Sequence, residues 1–233
     1  MTDQTPDQLR PVSMELGFTE ATPGSVLMAM GRTRVLCTAS VEDAVPRWML
    51  GSGKGWITAE YGMLPGSSKE RIRREDYTGG RAKEISRLIG RALRAGVNTK
   101  ALGELLVRVD CDVIEADGGT RTAAVTGAWV AMHQALEDAV GRGLLDRNPV
   151  IDEIAAVSVG IVDGQPWLDL DYEKDVAAEV DMNVVMTGRG LLVEVQGTAE
   201  GSPFTRQDLD GLLDLAAVGI SELHDLQRRA VAG

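Results

Sequence analysis

The chain is poor in the side chains on which metalloenzymes, disulfide frameworks and membrane proteins depend. Its 233 residues include only two cysteines and two histidines. Cys37 and Cys111 lie singly in strand-like apolar runs, without the spacing of a disulfide framework or zinc site, and read as reduced core residues. His133 and His224 fall in helical segments without ligand partners, which argues against zinc and against a histidine triad; His133 reads as a half-buried packing residue. No apolar run approaches the roughly 18 residues of a membrane span. No terminal stretch combines a charged start, an apolar middle and a small-residue cleavage site, so a cytoplasmic protein with no membrane partner is expected. A nucleotide P-loop is missing too. Gly51-Ser52-Gly53-Lys54-Gly55 invites the comparison, but that motif needs Gly at 48 and Ser or Thr at 55, where this chain has Trp48 and Gly55.

Positive charge is scarce overall. A net charge of −11 argues, taken alone, against nucleic acid, because phosphate binding is largely electrostatic. The distribution of charge points the other way: between Lys69 and Arg94 nine basic residues face four acids, a local +5 that leaves −16 for the rest. A compact basic patch on an acidic body can hold RNA locally; the bland alternative is a solvated helix face balanced by an acidic neighbour in an oligomer. An apolar share of 44% with 25% charged residues fits a globular protein of one large or two small domains.

What the chain does have is concentrated in Leu105 to Met132. Leu105 to Ile114 is apolar and β-branched with Asp110 and Asp112 at alternate places, the period of a strand with one wetter face. Ala116-Asp117-Gly118-Gly119 breaks it. Thr120-Arg121-Thr122 then opens a helix whose apolar face is Val125, Trp129, Met132 and Leu136. A helix start leaves backbone N–H groups unpaired and slightly positive, which suits an anion. Gly118 and Gly119 permit close backbone approach, Thr120 adds a hydroxyl, and Arg121 adds a planar cation that grips two oxyanion oxygens. Local features alone leave an equal alternative: a Gly-rich turn with Thr120 as N-cap and a solvated Arg121.

The rest reads as hairpins with interspersed helices. Ser25–Met30 and Val35–Val41 frame a turn at Gly31-Arg32-Thr33, and Trp56–Met63 is a further strand. Gly66 to Gly80 has no apolar period and reads as a mobile loop. A helix follows with Ile85, Leu88, Ile89, Ala92 and Leu93 inward, Arg87, Arg91 and Arg94 on another face, and Gly96 at its end. After a connection at 141–149 come a second hairpin turning through Gly164-Gln165-Pro166, a short segment 172–178, strands over Val180–Met186 and Leu191–Gln196, and a last helix capped by Thr205 and Asp208. Met1 to Asp7 is expected to be poorly ordered. Both halves, 1–148 and 149–233, run from strands to a helix without strict repetition, so the fold class is α+β.

Several of these stretches resemble one family in order. Asp112-Val113-Ile114 through Ala123, Gly53 to Tyr61, Arg87 to Arg94, Ala178 to Val184, and Glu194-Val195-Gln196-Gly197-Thr198 look like ribonuclease PH, the phosphorolytic 3′ exoribonuclease that trims transfer RNA ends. The resemblance implies a two-layer mixed β/α arrangement like the second domain of ribosomal protein S5, duplicated into one unit. It implies that Arg81, Gly119, Thr120 and Arg121 bind inorganic phosphate. It also implies that Asp175 and Asp181 supply a proton and hold Mg²⁺, which of them does which staying open; Glu179, on the same segment, reads from its strand position as structural or as a support to the acids. The basic segment, with Arg71, Arg73, Arg74, Arg87 and Arg91, would then receive precursor transfer RNA or other RNA at the opening of a homohexameric ring. The family's usual Arg-x-Asp-Gly-Arg start is absent; the first arginine here is Arg10. A non-catalytic RNA-binding ring subunit of an exosome-like assembly is the competing expectation. Retention of Arg81, Thr120, Arg121, Asp175 and Asp181 together argues against it.

Overall fold

Thr33–Glu42 alternates buried and partly open residues along its length, as a strand with one covered face must. The computed structural model describes residues 4–73 and 79–232. Within them the order is β1 (Val12–Leu16), β2 (Gly24–Met30), β3 (Thr33–Glu42), a 3-10 turn (Arg47–Met49), β4 (Trp56–Met63), α1 (Gly80–Ala95), β5 (Leu106–Glu115) and α2 (Thr120–Gly141) in the first half. The second half holds β6 (Ile154–Val162), β7 (Gln165–Leu168), α3 (Tyr172–Ala177), β8 (Val180–Thr187), β9 (Leu192–Ala199) and α4 (Arg206–Ala232).

The first sheet runs β1-β2-β3-β5-β4. Its pairs are antiparallel except β4 with β5, which run parallel because α1 carries the chain between them. Cys37 and Cys111 sit directly opposite one another on β3 and β5, both reduced and buried. The second sheet, β7-β6-β8-β9, is antiparallel throughout. Its first hairpin turns on Asp163 and Gly164, both left-handed at φ 51° and 72°, the geometry of a two-residue primed turn. The turn thus falls earlier than the sequence pattern suggests. Gln165 and Pro166 already belong to β7, where an edge position tolerates a residue without an N–H.

Helix α2 is the shared core. Its sequence suggests one apolar stripe, yet Ala123 to Met132 are buried without interruption, because the helix lies against β2 and β3 of one sheet and β6 of the other. Small residues make the second face. A side chain at Gly127 would press on Met28 Cβ at 2.7 Å and Cys37 Sγ at 2.9 Å. Polar bonds stitch the halves at this level: Thr126 Oγ1 accepts from Ala156 N at 3.1 Å, and Trp129 Nε1 donates to Asp152 O at 3.0 Å. Gln227 of α4 donates to Thr126 O and Ile154 O, both at 2.9 Å.

Helix α4 packs on β6, β7 and β8 and begins with the expected reciprocal cap: Thr205 Oγ1 donates to Asp208 Oδ2 at 2.7 Å, and Asp208 N donates to Thr205 Oγ1 at 3.1 Å. Of the start expected to be poorly ordered, Met1 to Asp3 lie outside the described residues, and from Gln4 onward the chain differs from expectation. Gln4 Nε2 donates to Leu168 O at 3.0 Å and Leu168 N to Pro6 O at 2.8 Å, so this segment is docked on β7. Among the described residues no helix is long and apolar enough to cross a membrane.

Candidate active site

Gly118 and Gly119, at φ 77° and 64°, turn the chain from β5 into α2. Only glycine fits at 118. A Cβ there would meet Asp171 C at 2.6 Å and Tyr172 N at 2.8 Å, so the start of α3 lies directly on the loop. Gly119, in the left-handed conformation, is the N-cap, and no side chain caps the helix. Thr120 is therefore the first helical residue, which sets aside the alternative of a plain turn with Thr120 as its N-cap. Its buried hydroxyl accepts from Tyr61 OH at 2.8 Å. The first intrahelical bond runs from Ala123 N to Gly119 O at 3.0 Å, which leaves the amides of Thr120, Arg121 and Thr122 without helical acceptors.

That helix start forms one wall of a cavity of about 290 Å³ lined by Arg81, Gly119, Thr120, Arg121, Asp175 and Asp181, with Ser158, Asn183 and Tyr172 among the remaining contacts. The six residues expected to bind phosphate or to carry the chemistry thus converge on one place. Arg121 donates to Gln196 Oε1 on β9 and lies 3.5 Å from Glu84 Oε1 on α1. Gln196 Nε2 donates in turn to Glu84 at 3.2 Å. Arg81, at the start of α1, faces the same space from the first half.

The acids come from the second half. Asp171 caps α3 by accepting from Lys174 N at 2.9 Å and pairs with its Nζ at 2.6 Å, and Asp175 projects from that helix into the cavity. Asp181 projects from β8. Burial raises the Asp175 carboxyl above the ordinary carboxylate range, against the pull of the Arg81, Arg121 and Arg10 charges. Asp181 is pushed up to about 6, first by burial and then by the like charge of Asp175. Its Oδ1 is buried without a hydrogen-bond partner. Two crowded carboxylates, one with an oxygen unsatisfied, fit a small divalent cation such as Mg²⁺. No cluster of three or more metal-ligating side chains exists among the described residues, so water and substrate oxygens would complete its shell.

The basic segment is divided. Arg71 lines a groove of about 810 Å³ that shares Ser68, Ala116 and Tyr172 with the cavity. Arg73 and Arg87 are exposed, while Arg74 lies outside the described residues. Arg91 is paired with Glu194 at 2.9 Å, and Arg94 lies over the Trp56 ring at 4.2 Å while donating to Ile57 O. Arg87, Arg91 and Arg94 share one face of α1, as their spacing predicts, but Arg91 and Arg94 are already engaged within the chain, so the local +5 overstates the free positive charge. Glu179, expected to be structural, is exposed and accepts from Gly164 N at 3.0 Å.

Tyr61, Glu84, Ser158, Asn183 and Gln196 belong to the site without having been singled out. Asn183 was within reach, since strand alternation puts it on the face of Asp181. Gln196 stands opposite Asn183 only through the β8–β9 register.

Fold and cavity together define a duplicated α+β protein in which a helix start with open amides in one half faces two carboxylates of the other. Residues 8–136 match the 3′ exoribonuclease family, domain 1, and residues 152–219 match domain 2 of the same family; the chain belongs to this family, that of ribonuclease PH. Among solved structures it is similar to rice (Oryza sativa) Rrp46, at 19% identity over 99% of both chains with a TM-score of 0.80. An archaeal exosome core matches at 19% identity over 96% of this chain and 89% of that one, TM-score 0.76. An Archaeoglobus fulgidus exosome with RNA bound to the active site matches at 20% identity over 97% and 90%, TM-score 0.77. These likenesses establish the fold.

Proposed function

We propose that this protein is a phosphate-dependent 3′ to 5′ exoribonuclease that trims the 3′ ends of precursor transfer RNA, releases nucleoside 5′-diphosphates and runs in reverse as a nucleotidyltransferase. The observation that carries this reading is the convergence of Arg81, Thr120 and Arg121 with Asp175 and Asp181 on one cavity of about 290 Å³. Inorganic phosphate is held by the two guanidiniums and the open amides of the helix start. One of its oxygens attacks the phosphorus of the terminal phosphodiester. The bond to the 3′ oxygen of the preceding nucleotide breaks, and the attacking phosphate leaves as the terminal group of a nucleoside diphosphate. The departing 3′ oxygen takes a proton, and Asp181, pushed up to about 6, is suited to deliver it near neutral pH. Mg²⁺ held by Asp175 would neutralise charge on the attacked phosphodiester and leave the Asp181 carboxyl free to carry the proton. Arg81 and Arg121 do the same from the opposite wall and fix the attacking oxygen in line.

We propose in addition a ring of six copies, and apolar surface in two separate places supports it. Trp48 and Leu50 are 67% and 65% exposed, and Leu191 and Leu192 are 56% and 53% exposed. Rings need two different complementary patches on each subunit. A second reading, a non-catalytic RNA-binding ring subunit, draws on Arg121 being engaged by Gln196 and Glu84. Incubation with an oligoadenylate, Mg²⁺ and phosphate separates the two. Diphosphate release that rises with phosphate supports the enzyme, and RNA binding without release supports the scaffold.

A further inference from the structure

Arg10 and Asp169 form a buried ion pair behind the cavity wall, 2% and 0% exposed. Asp169, left-handed at φ 54°, follows β7 in the second half, while Arg10 precedes β1 in the first. The pairing is two-pronged: Arg10 Nη2 meets Asp169 Oδ1 at 2.7 Å and Nε meets Oδ2 at 2.9 Å, with Arg10 N adding a third bond to Oδ2 at 3.0 Å. The remaining donors of the guanidinium reach backbone. Nη1 donates to Asp117 O at 2.5 Å, and Nη2 approaches Gly118 O at 3.5 Å. These are the two peptides that lead into Gly119.

Other groups hold the same peptides from the first half. Thr33 Oγ1 donates to Gly118 O at 2.6 Å and accepts from Asp117 N at 2.9 Å. Arg32 grips the Asp117 carboxylate at 2.8 and 2.9 Å. Space is tailored to the guanidinium as well: a Cβ at Gly31 would lie 2.8 Å from Arg10 Cδ, and one at Gly119 would lie 3.2 Å from Nη2. A buried ion pair is a weak source of stability compared with an apolar pair of the same size. This one directs its planar geometry at two loop carbonyls, and both glycines after it need left-handed backbone, which an unrestrained chain rarely keeps.

We propose that Arg10 and Asp169 are positioning residues for phosphate binding. They fix the Asp117 and Gly118 peptides from both halves of the molecule, so that the open amides of Thr120 and Arg121 converge on the anion before it arrives. The inference rests on the phosphate-binding role given above to that helix start. Because Asp169 lies in the second half, the pair also sets the phosphate wall against the wall that carries Asp175 and Asp181.

The test compares Arg10→Lys, Asp169→Asn and Thr33→Val in the full chain. Lysine keeps the charge but loses the fork, and Thr33→Val releases the same peptides without touching any charge. A core substitution on α4, Ile220→Val, controls for general loss of stability. Affinity for inorganic phosphate is measured by calorimetry, KM for phosphate and kcat from initial rates on an oligoadenylate, and melting by circular dichroism. The expected result is a rise of about tenfold or more in the Kd and KM for phosphate in Arg10→Lys and Thr33→Val. The KM for RNA should change little, and Ile220→Val should leave phosphate affinity intact at a comparable loss in Tm. If Asp169→Asn fails to fold, Arg10→Lys and Thr33→Val decide. Wild-type phosphate affinity in Arg10→Lys overturns the role of the pair alone, whatever Thr33→Val shows. Absence of phosphate affinity in the wild-type protein overturns the functional reading and this inference with it.

Discussion

Arg121, on the first turn of α2, donates to the side-chain oxygen of Gln196 on β9, so the guanidinium at the helix start is aimed by a residue of the other half. Gln196→Leu removes that guide and leaves Arg121 to Glu84 alone. The expected outcome is a rise of several-fold to about tenfold in KM for phosphate with a smaller change in kcat. Gln196→Glu should be worse, because a carboxylate competes with phosphate for the same cation. Initial rates against phosphate concentration check this, and a normal KM in the glutamate variant would sink it.

Arg121 itself is the strongest single test of the phosphate site. Arg121→Ala removes one preorganised donor next to the reacting phosphates, and such a loss ordinarily costs about a hundredfold or more in turnover. Single-turnover release of nucleoside diphosphate measures it. Unchanged turnover at limiting phosphate would contradict the site.

Most of the fold was legible from local pattern, because strand alternation and helix period are imposed by neighbours a few residues away. β4 begins at Trp56 and ends at Met63 as its pattern predicts, and α1 ends where its sequence suggests, although Gly96 at φ −93° is not left-handed and is needed because a Cβ there would lie 2.8 Å from Asp152 O. What local pattern missed was set by distant partners. The second buried face of α2 is written in alanines and Gly127, small residues that carry no period of their own until a second sheet lies against them. Arg10 reads as an ordinary charge near the chain start, and only its contact with Asp169 across 159 positions makes it a buried fork. Arg81, Asp175 and Asp181 were found through the family resemblance, while Tyr61, Asn183 and Gln196 stood within the resembling stretches without a role. Glu84 and Ser158 needed the assembled walls.

Asp181 links the chemistry to stability. Its folded value of about 6 lies above its ordinary carboxylate value, so the folded state binds this proton more tightly than the unfolded state does. The stabilisation is complete below the unfolded value, near pH 4, and is lost as pH rises through about 6. At pH 7.5 the buried carboxylate is thus a burden, worth about 1 to 2 kcal/mol once partial screening by solvent is allowed for. Asp181→Asn is expected to raise Tm by a few degrees at pH 7.5 without Mg²⁺ or phosphate, to change it little near pH 4, and to abolish phosphorolysis. A lower Tm at pH 7.5 would show that the carboxylate is not crowded.

Arg71 and Arg91 differ in what already neutralises them. Arg91 is paired with Glu194, whereas Arg71 lines the groove that opens from the cavity. Arg71→Ala is expected to weaken RNA binding and to flatten the dependence of log Kd on log salt by about 0.7, one phosphate contact on a single strand. Arg91→Ala should change that slope by clearly less, because its charge is already shared with Glu194. Fluorescence anisotropy with a labelled oligoadenylate across a salt series gives both slopes. Equal effects would mean that RNA displaces Glu194 from Arg91.

Gly118 is the point at which backbone geometry and active-site assembly meet. It needs φ 77°, which a residue with a Cβ adopts at a cost, and that Cβ would press into Leu170 O, Asp171 C and Tyr172 N. These belong to the segment that caps α3 and directs Asp175 toward the cavity. Gly118→Ala should therefore push the acidic wall and the phosphate wall apart while leaving the two sheets intact, since neither contains this residue. The expected outcome is a fall in kcat of about a hundredfold, the usual cost of an ångström of misplacement, together with a higher KM for phosphate. The far-ultraviolet dichroism should match wild type. Gly119→Ala tests the other side of the same turn, because the nearest neighbours of a Cβ there are Arg10 Nη2 and Thr122 Oγ1, both at 3.2 Å, and Asp169 Oδ1 at 3.7 Å, none of them on α3. It should raise KM for phosphate with a smaller loss of kcat. If Gly118→Ala instead changed KM alone, α3 would be positioned independently of the loop, and the coupling of the two walls through this glycine would fall.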